Sequence, residues 1–499
     1  MGTSVRPASS VVLHRPDGKV LWVRRGAQLR FAGGFYAFPG GAVDVEDAAA
    51  PLEHAAGLDP AEAACLAAAA RELFEETGVL CVSGRERVPA ADRRALRQAL
   101  VARPSTASFT EFLRARDLRV DAARFAPAGR WVTPPAMPVR FDARFYLVEL
   151  PPGEEAEIWP GELADGEWIS PADAIARWEG GSALLHPPAW HSLRALRHVR
   201  TPADALELLR RPDRAPWKLP IRDHIVERIE FQRGIILVPL RTPTLPPATH
   251  TNCLLLGDDE LWVVDPGSPW PEEQEVLRRT LERLASEGRK AVGILLTHHH
   301  LDHVGGAETL RKELGIPIVA SEETQAALEV RVDRFVRDGD RFEVGPRGFR
   351  ALHLPGHTRG HVCLIEDGSG AVVAGDLVAG VGTVIIDPPE GDMSDYLTSL
   401  DRLLGEKPGT IYPAHGPVLP AGAAKLEEYR THRLAREKLV LESLRAARQP
   451  ATPAELVPQA YPDVKPELYG LAERSLLAHL LKLKKEGRAR EERGRYAAS

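Results

Sequence analysis

The run Thr297-His298-His299-His300-Leu301-Asp302-His303 packs imidazoles and a carboxylate into one turn. It follows the apolar stretch Val292-Gly293-Ile294-Leu295-Leu296, which reads as a buried strand. Imidazole nitrogens and carboxylate oxygens crowded at a strand end are donors for a metal of the zinc type. Three more such places follow: Gly356-His357-Thr358, Gly375-Asp376 behind the apolar residues 371–374, and Ala414-His415-Gly416 behind Ile411-Tyr412. A single histidine near a strand end is most often packed or surface material. Ligand-type residues behind four separate strands are another matter, because α/β folds gather strand ends along one edge. His299 should point away from its neighbours, and His353 and His361 read as structural, with His361 close enough to His357 to face a substrate.

A second constellation is Arg71-Glu72-Leu73-Phe74-Glu75-Glu76-Thr77-Gly78-Val79. On a helix Glu72, Glu75 and Glu76 fall at i, i+3 and i+4, so three carboxylates share one face and repel unless a cation sits among them. Hard oxygen donors suit magnesium or manganese, and those ions suit a phosphate substrate. A solvated acidic helix end is the plain alternative.

The elements that must position these groups are legible in outline. Asp59-Pro60 should open an Ala-rich helix that Gly78 ends, with Asp as cap and Pro in the first turn. Ahead of it, Val11-Val12-Leu13 and Val20-Leu21-Trp22-Val23 read as strands around the Asp17-Gly18 turn. Beyond residue 225 strands (261–264, 292–297) alternate with amphipathic helices (272–287, 305–314), an α/β pattern.

The chain has 499 residues, too many for one core, of which 44% are hydrophobic and 27% charged, with a formal net charge of -6. That balance argues against coating nucleic acid along the whole length. Cys65, Cys81, Cys253 and Cys363 lack C-x-x-C spacing and read as reduced core residues. With no signal-like N-terminus and no apolar run of about 18 residues, a cytoplasmic protein without membrane contact is expected.

The acidic helix resembles the second half of the Nudix box, with Pro39-Gly40-Gly41 supplying its opening glycine. Gly41 precedes Arg71 by 30 positions, 16 more than in the family pattern, and the usual intermediate glutamate would fall at Ala63. Arg25, Arg30, Gly34 and Phe38-Pro39-Gly40-Gly41 are similar to the coenzyme A signature of the coenzyme A diphosphatase branch, although Gly26 stands where that branch has Ser or Ala. Trp131-Val132-Thr133-Pro134, Arg140-Phe141-Asp142 and Trp168-Ile169-Ser170-Pro171 extend the likeness. The resemblance implies that Glu75 and Glu76 bind Mg2+ or Mn2+, that Glu72 ligates or activates water, and that Arg71 orients a glutamate. It also implies that Arg25, Arg30, Gly40 and Gly41 contact a coenzyme A-type molecule. Glu154, Glu155 and Glu157 lie where such a fold sometimes draws a last carboxylate, and read more simply as an acidic loop.

The histidine cluster resembles the metallo-β-lactamase superfamily signature H-x-H-x-D-H with its distant His, Asp and His. By that resemblance His298, His300 and His357 hold one zinc, Asp302, His303 and His415 a second, and Asp376 bridges them. Two cations sharing one water lower its pKa toward ~7, and Asp302 can then move a proton. Asp265 matches the superfamily's structural aspartate, and Asn252 should face the site.

Residues 425–447, 453–460 and 468–486 read as helices and 488–496 as a hairpin, a winged-helix pattern. From Leu426 to Ser499 there are 15 Lys and Arg against 11 Asp and Glu. That excess could hold nucleic-acid phosphates, or belong to a cap that completes the hydrolase fold. Glu428-Tyr429-Arg430-Thr431-His432-Arg433 and Leu477-Ala478-His479-Leu480-Leu481-Lys482-Leu483 are similar to the β-lactamase-like-protein-2 endoribonucleases, which implies cleavage of single-stranded RNA.

The expected architecture is multidomain α/β and α+β. It comprises a Nudix fold over 4–200, a Pro-rich linker over 201–224, an αβ/βα metallo-β-lactamase sandwich over 225–420 and a winged-helix-like subdomain over 421–499. The expected function is a bifunctional metal-dependent hydrolase, cutting RNA with two zinc ions and a diphosphate such as that of coenzyme A with Mg2+ or Mn2+. The rival for the zinc domain is an acyl-coenzyme A or glyoxalase-II-like thioesterase, with the Nudix domain acting on or binding the same molecule. Nothing in the sequence fixes the oligomeric state.

Overall fold

The computed structural model describes residues 4–27, 29, 32–102, 104–135, 137, 139–159, 161–217 and 219–499. It divides into two compact units, Met1–Arg233 and Gly234–Ser499.

The first unit is built on a nine-stranded mixed sheet. Arg6–His14 runs parallel to Phe141–Glu149 and turns back through His14 to pair with Val20–Arg25. The period-two alternation sorts its side chains. Val11 and Leu13 pack with Leu66, Leu73 and Phe74 of the helix Pro60–Thr77, while Val12, Val20 and Trp22 pack with Ile175, Trp178 and Leu193 from the helices Pro171–Glu179 and Pro187–His198. The helix Pro60–Thr77 begins and ends where the sequence places it. The Asp59 carboxylate accepts from the Glu62 N–H at 2.8 Å, and the Glu62 carboxylate accepts from the Asp59 N–H, a capping box in which the Asp cap contributes about 1 kcal/mol. Gly78, at φ 75°, closes the last turn.

Residues 201–224 do not form a free linker. Their prolines open short helical turns, Pro202–Ala205 and Pro212–Arg214, around the helix Leu206–Arg210. Ala205, Leu209 and Leu219 enter the core of the first unit. Ile225–Val226 then pairs with Ala126–Val132 of the main sheet, so the first unit runs past residue 224. The apolar residues between the prolines decide the outcome, because burying them outweighs the stiffness that proline density signals.

In the second unit one sheet runs through Ile235–Arg241, His250–Leu256, Glu260–Val264, Lys290–Leu295, Ile318–Ala320 and Arg334–Phe335. A second runs through Arg341–Val344, Arg347–His353, Val362–Glu366, Val372–Gly375 and Ile411–Pro413. The outer face of the first sheet packs Val238, Leu255 and Val263 against Leu277, Leu281 and Leu284 of the helix Pro271–Ser286. The outer face of the second packs Leu352, Cys363 and Ile365 against Tyr396 and Leu400 of the helix Met393–Gly405. Between the sheets Trp262 meets Phe342 edge-on at 5.0 Å, which gives an αββα sandwich.

The tail forms the helices Gly422–Ala446, Pro453–Ala460 and Tyr469–Lys485 and a hairpin of Ala489–Glu492 with Arg495–Ala498. Its first helix puts Leu426 and Tyr429, and its third puts Ala478, into the same core as the second sheet. The four cysteines are buried and unpaired. Among the described residues no helix is long and apolar enough to cross a membrane.

Candidate metal centres

In the second unit every ligand-type residue singled out from the sequence arrives at one edge. His298, His300 and His303 follow Lys290–Leu295, His357 follows Arg347–His353, Asp376 follows Val372–Gly375, and His415 follows Ile411–Pro413. Ligand atoms of His298, His300, His357 and Asp376 all lie within 4.8 Å of one another, and so do those of Asp302, His303 and His415. Asp376 stands between the groups. Its Oδ2 is 3.5 Å from His357 Nε2, while its Oδ1 is 3.6 Å from His303 Nε2 and 3.4 Å from His415 Nε2. Asp302 Oδ2 lies 3.4 Å from His415 Nε2.

The donor set fits two metal ions. His298 Nε2 and His357 Nε2 stand 3.0 and 3.1 Å from His300 Nδ1, three nitrogens converging beside the Asp376 carboxylate. His303 Nε2 and Asp376 Oδ1 are buried without a hydrogen-bond partner, which is costly unless a cation takes them up. The far nitrogens are held. His303 Nδ1 donates to Asp265 Oδ2 at 2.8 Å, His357 Nδ1 to the Ile385 carbonyl at 2.9 Å and His415 Nδ1 to the His250 carbonyl at 3.0 Å. Each bond holds its ring so that Nε2 faces the centre.

The electrostatics divide the same way. Burial, then the neighbouring imidazoles, pushes His300 down to about 3 and His298 well below its usual range, so both stay neutral donors. Around the second group burial opposes charge, but the carboxylates Asp376, Asp265 and Asp302 overcome it and hold His303 well above its usual value. Burial also resists the charge on Asp302, yet His303 and His415 bring it down to about 2.

Residues outside the two groups do the positioning. Asp265, at φ 50°, accepts from the Thr297 N–H at 2.8 Å and the Thr297 hydroxyl at 2.7 Å as well as from His303. The Asn252 amide donates to the Pro413 and Gly416 carbonyls, both at 2.9 Å, and so grips the turn that carries His415. His361 accepts from the Asp376 N–H at 3.0 Å, which gives it a structural part. At Gly375 a Cβ would stand 2.7 Å from His361 Nε2, so this close approach requires glycine. His299 belongs to neither group, and His353 Nε2 donates to the Arg359 carbonyl.

The tail helix reaches this site through backbone. The Tyr429 hydroxyl donates to the Ala379 carbonyl at 2.9 Å and accepts from the Ala379 N–H at 3.0 Å. Arg433 donates to the Thr383 hydroxyl and the Val384 carbonyl, next to the Ile385 carbonyl that orients His357. Arg433→Met is therefore expected to weaken metal binding by the second unit roughly tenfold, read by competition with a chromophoric chelator. Unchanged affinity would show that the clamp has no part in holding His357.

In the first unit Gly41 lies against the Glu72 carboxylate, which a Cβ there would displace. The Gly40 N–H donates to Glu76 Oε2 at 2.9 Å. Arg71 Nη1 donates to Glu72 Oε1 at 2.8 Å and Glu75 Oε1 at 3.1 Å. Among the described residues the three glutamates do not gather to within 4.8 Å. Arg25 Nη2 donates to Glu162 Oε1 at 3.2 Å, and Glu162 acts electrostatically on both Glu72 and Glu76. Glu162 is thus the late carboxylate next to the box. Glu154 instead binds Arg93 and the Leu80 N–H, and Glu157 pairs with Arg97. Arg30 lies outside the described residues.

Burial, before any other cause, raises Glu72 from 4.5 to about 7 and Glu76 well above its usual range. A carboxyl raised on folding binds its proton more tightly in the folded state. The stability this gives is present below about pH 4.5 and is lost as the pH rises through about 7. For Glu72 the loss is on the order of 3 kcal/mol. Metal-free protein is expected to lose denaturant resistance across that window, followed by tryptophan fluorescence, and Mg2+ or Mn2+ to restore it above pH 7. A flat profile would contradict the buried carboxylate cluster.

Comparison with known proteins agrees with both halves. Family profiles match residues 4–187 as a NUDIX domain, 246–415 as the metallo-beta-lactamase superfamily and 452–496 as a beta-lactamase associated winged helix domain. The beta-lactamase-like protein 2 homolog of Caenorhabditis elegans is 32% identical over 220 residues, covering 43% of this chain and 71% of that protein. An atrochrysone carboxyl ACP thioesterase of Aspergillus chevalieri is 33% identical over 200 residues, covering 40% of this chain and 62% of that protein. A NUDIX hydrolase structure from Alicyclobacillus acidocaldarius is 32% identical with a TM-score of 0.37, covering 42% of this chain and 98% of that one. The chain belongs to the metallo-beta-lactamase superfamily and is a metal-dependent hydrolase. Within that class it is of the beta-lactamase-like-protein-2 type, with a NUDIX domain in front and a winged-helix domain behind.

Proposed function

We propose that the second unit hydrolyses a thioester of the acyl-coenzyme A type. In this reading His298, His300 and His357 hold one zinc ion, Asp302, His303 and His415 a second, and Asp376 lies between them. The first unit cleaves the diphosphate of a coenzyme A-type molecule, with Mg2+ or Mn2+ on Glu72, Glu75 and Glu76 and with Arg25, Gly40 and Gly41 facing the nucleotide. Zinc ions bound by these residues would supply Lewis acidity toward water and the scissile carbonyl. Asp302, held ionised, accepts the proton that water gives up. Thr244, whose hydroxyl is 3.5 Å from His415 Nε2, and the exposed Leu245 and Leu301 meet the acyl group.

The observation that carries this choice is the state of the tail's cations. Lys482, Lys484, Arg488 and Arg495 pair with carboxylates of the tail, and Arg474 and Lys485 with Asp387 and Asp392 ahead of it, so six of the tail's cations already have an acidic partner. Single-stranded RNA is the second reading. The winged-helix match and the exposed Arg490 and Arg493 of the hairpin favour it, with nucleic acid then lying along the tail. Zinc-loaded protein given acetyl-coenzyme A, a long-chain acyl-coenzyme A or a single-stranded oligoribonucleotide separates the two. Release of free thiol is expected. A cut oligonucleotide with no thiol released would replace the thioester reading by the second.

A further inference from the structure

The 16 extra residues between Gly41 and Arg71 interrupt the box, and no carboxylate stands at Ala63. Within this insertion Val45–Ala49 forms a 3-10 turn whose Asp47 points inward and is only 3% exposed. The turn is held from outside: the Thr110 hydroxyl donates to the Glu46 carbonyl at 3.1 Å, and Arg114 Nη2 to the Ala49 carbonyl at 2.6 Å.

Asp47 grips Arg71 along one edge of the guanidinium. Arg71 Nε donates to Asp47 Oδ1 at 2.9 Å and Nη2 to Oδ2 at 3.0 Å, a two-pronged pair of the strong kind. Oδ2 also accepts from the Asp44 N–H at 2.8 Å, which keeps the carboxylate from turning. The second hydrogen of Nη2 goes to the Ala42 carbonyl at 2.9 Å, and Nη1 reaches Glu72 and Glu75 at 2.8 and 3.1 Å. All five donors of the guanidinium are thereby placed. One edge is anchored by the insertion and the other presented to the two glutamates. An arginine free to rotate would approach Glu72 and Glu75 differently and leave their oxygens unaligned for a cation.

We infer that Asp47 is a positioning residue of the NUDIX centre: the insertion supplies the carboxylate that the box itself lacks, and the interrupted box remains a working site. This rests on the reading of Glu72, Glu75 and Glu76 as metal ligands. Asp47 acts through Arg71 and touches neither metal nor substrate.

The test uses the full-length chain and two readouts, Mn2+ affinity by electron paramagnetic resonance and diphosphate hydrolysis of coenzyme A. Asp47→Asn keeps the size and removes the charge. It is expected to weaken Mn2+ binding and lower kcat by roughly 10–100-fold each, with KM for coenzyme A little changed. Asp47→Glu should recover part of both. Arg71→Met combined with Asp47→Asn should lose little more than Arg71→Met alone, since the two act as one unit. Wild-type Mn2+ affinity in Asp47→Asn, or losses that simply add in the double variant, would overturn the inference. Absence of Mn2+ binding to the wild-type chain would instead remove the reading on which it rests. If the wild type binds Mn2+ but leaves coenzyme A intact, the affinity arm alone decides.

Discussion

His300→Ala is expected to abolish metal-dependent hydrolysis by the second unit, a fall of roughly a thousandfold or more. His300 Nδ1 is the nitrogen on which His298 and His357 converge, at 3.0 and 3.1 Å, so its loss opens the first group rather than trimming an edge. Lewis-acid stabilisation is worth several kcal/mol, and each 1.36 kcal/mol is tenfold in rate, which sets the size of the effect. His300 is not a core residue. It lies at the turn ahead of the helix Leu301–Val304, so the substitution should leave the fold and the NUDIX activity in place. The check is thiol release from an acyl-coenzyme A alongside zinc content and coenzyme A cleavage in the same preparation. Thiol release that survived in His300→Ala would remove the assignment of the whole histidine cluster.

Glu76→Gln should do the converse. Diphosphate hydrolysis by the first unit should fall by roughly 10²–10³-fold, since a neutral amide replaces a charged oxygen donor of a cation that itself contributes several kcal/mol, while thiol release is unaffected. The same variant should be more stable than the wild type when metal is withheld above pH 7. Glu76 is partly buried, desolvation raises its pKa, and the amide oxygen can still accept from the Gly40 N–H. Loss of activity together with gain of metal-free stability distinguishes a ligand carboxylate from a structural one, which would lose both. Hydrolysis at the wild-type rate would mean that the interrupted box serves only to bind its ligand.

What the sequence disclosed and what it hid follow from how each signal is written. The helix Pro60–Thr77 and the tail helices are local. Asp59, Gly78, Thr452 and the apolar stripes announce them within a few residues. The histidine cluster was legible because strand ends carry ligands at fixed places and α/β topology gathers those ends. Of the groups that orient these ligands, Asp265 and Asn252 were marked only by a family resemblance, and the contacts that they and Arg433 make were not written in the sequence. Asn252 binds a turn beyond residue 412, Arg433 holds the loop before Ile385, and Glu162 acts on the box from the turn before the strand Leu163–Ile169. Asp47 lies in an insertion with no period at all. Each of these is a contact between distant segments, and composition and spacing are silent about such contacts. The prolines of 201–224 misled for a related reason, since what decides their fate is the pocket that receives Leu209 and Leu219. The basic tail was counted correctly, but net charge does not say whether a lysine faces solvent or a glutamate of its own chain.

The central claim is that Asp376 lies between two metal ions, with His298, His300 and His357 on one side and Asp302, His303 and His415 on the other. Anomalous diffraction at the zinc edge from crystals of the zinc-loaded chain tests it most directly. The expected result is two peaks, one on each side of the Asp376 carboxylate, each within bonding distance of its own histidines. A single peak there, or none, would contradict the two-metal centre and the hydrolysis built on it.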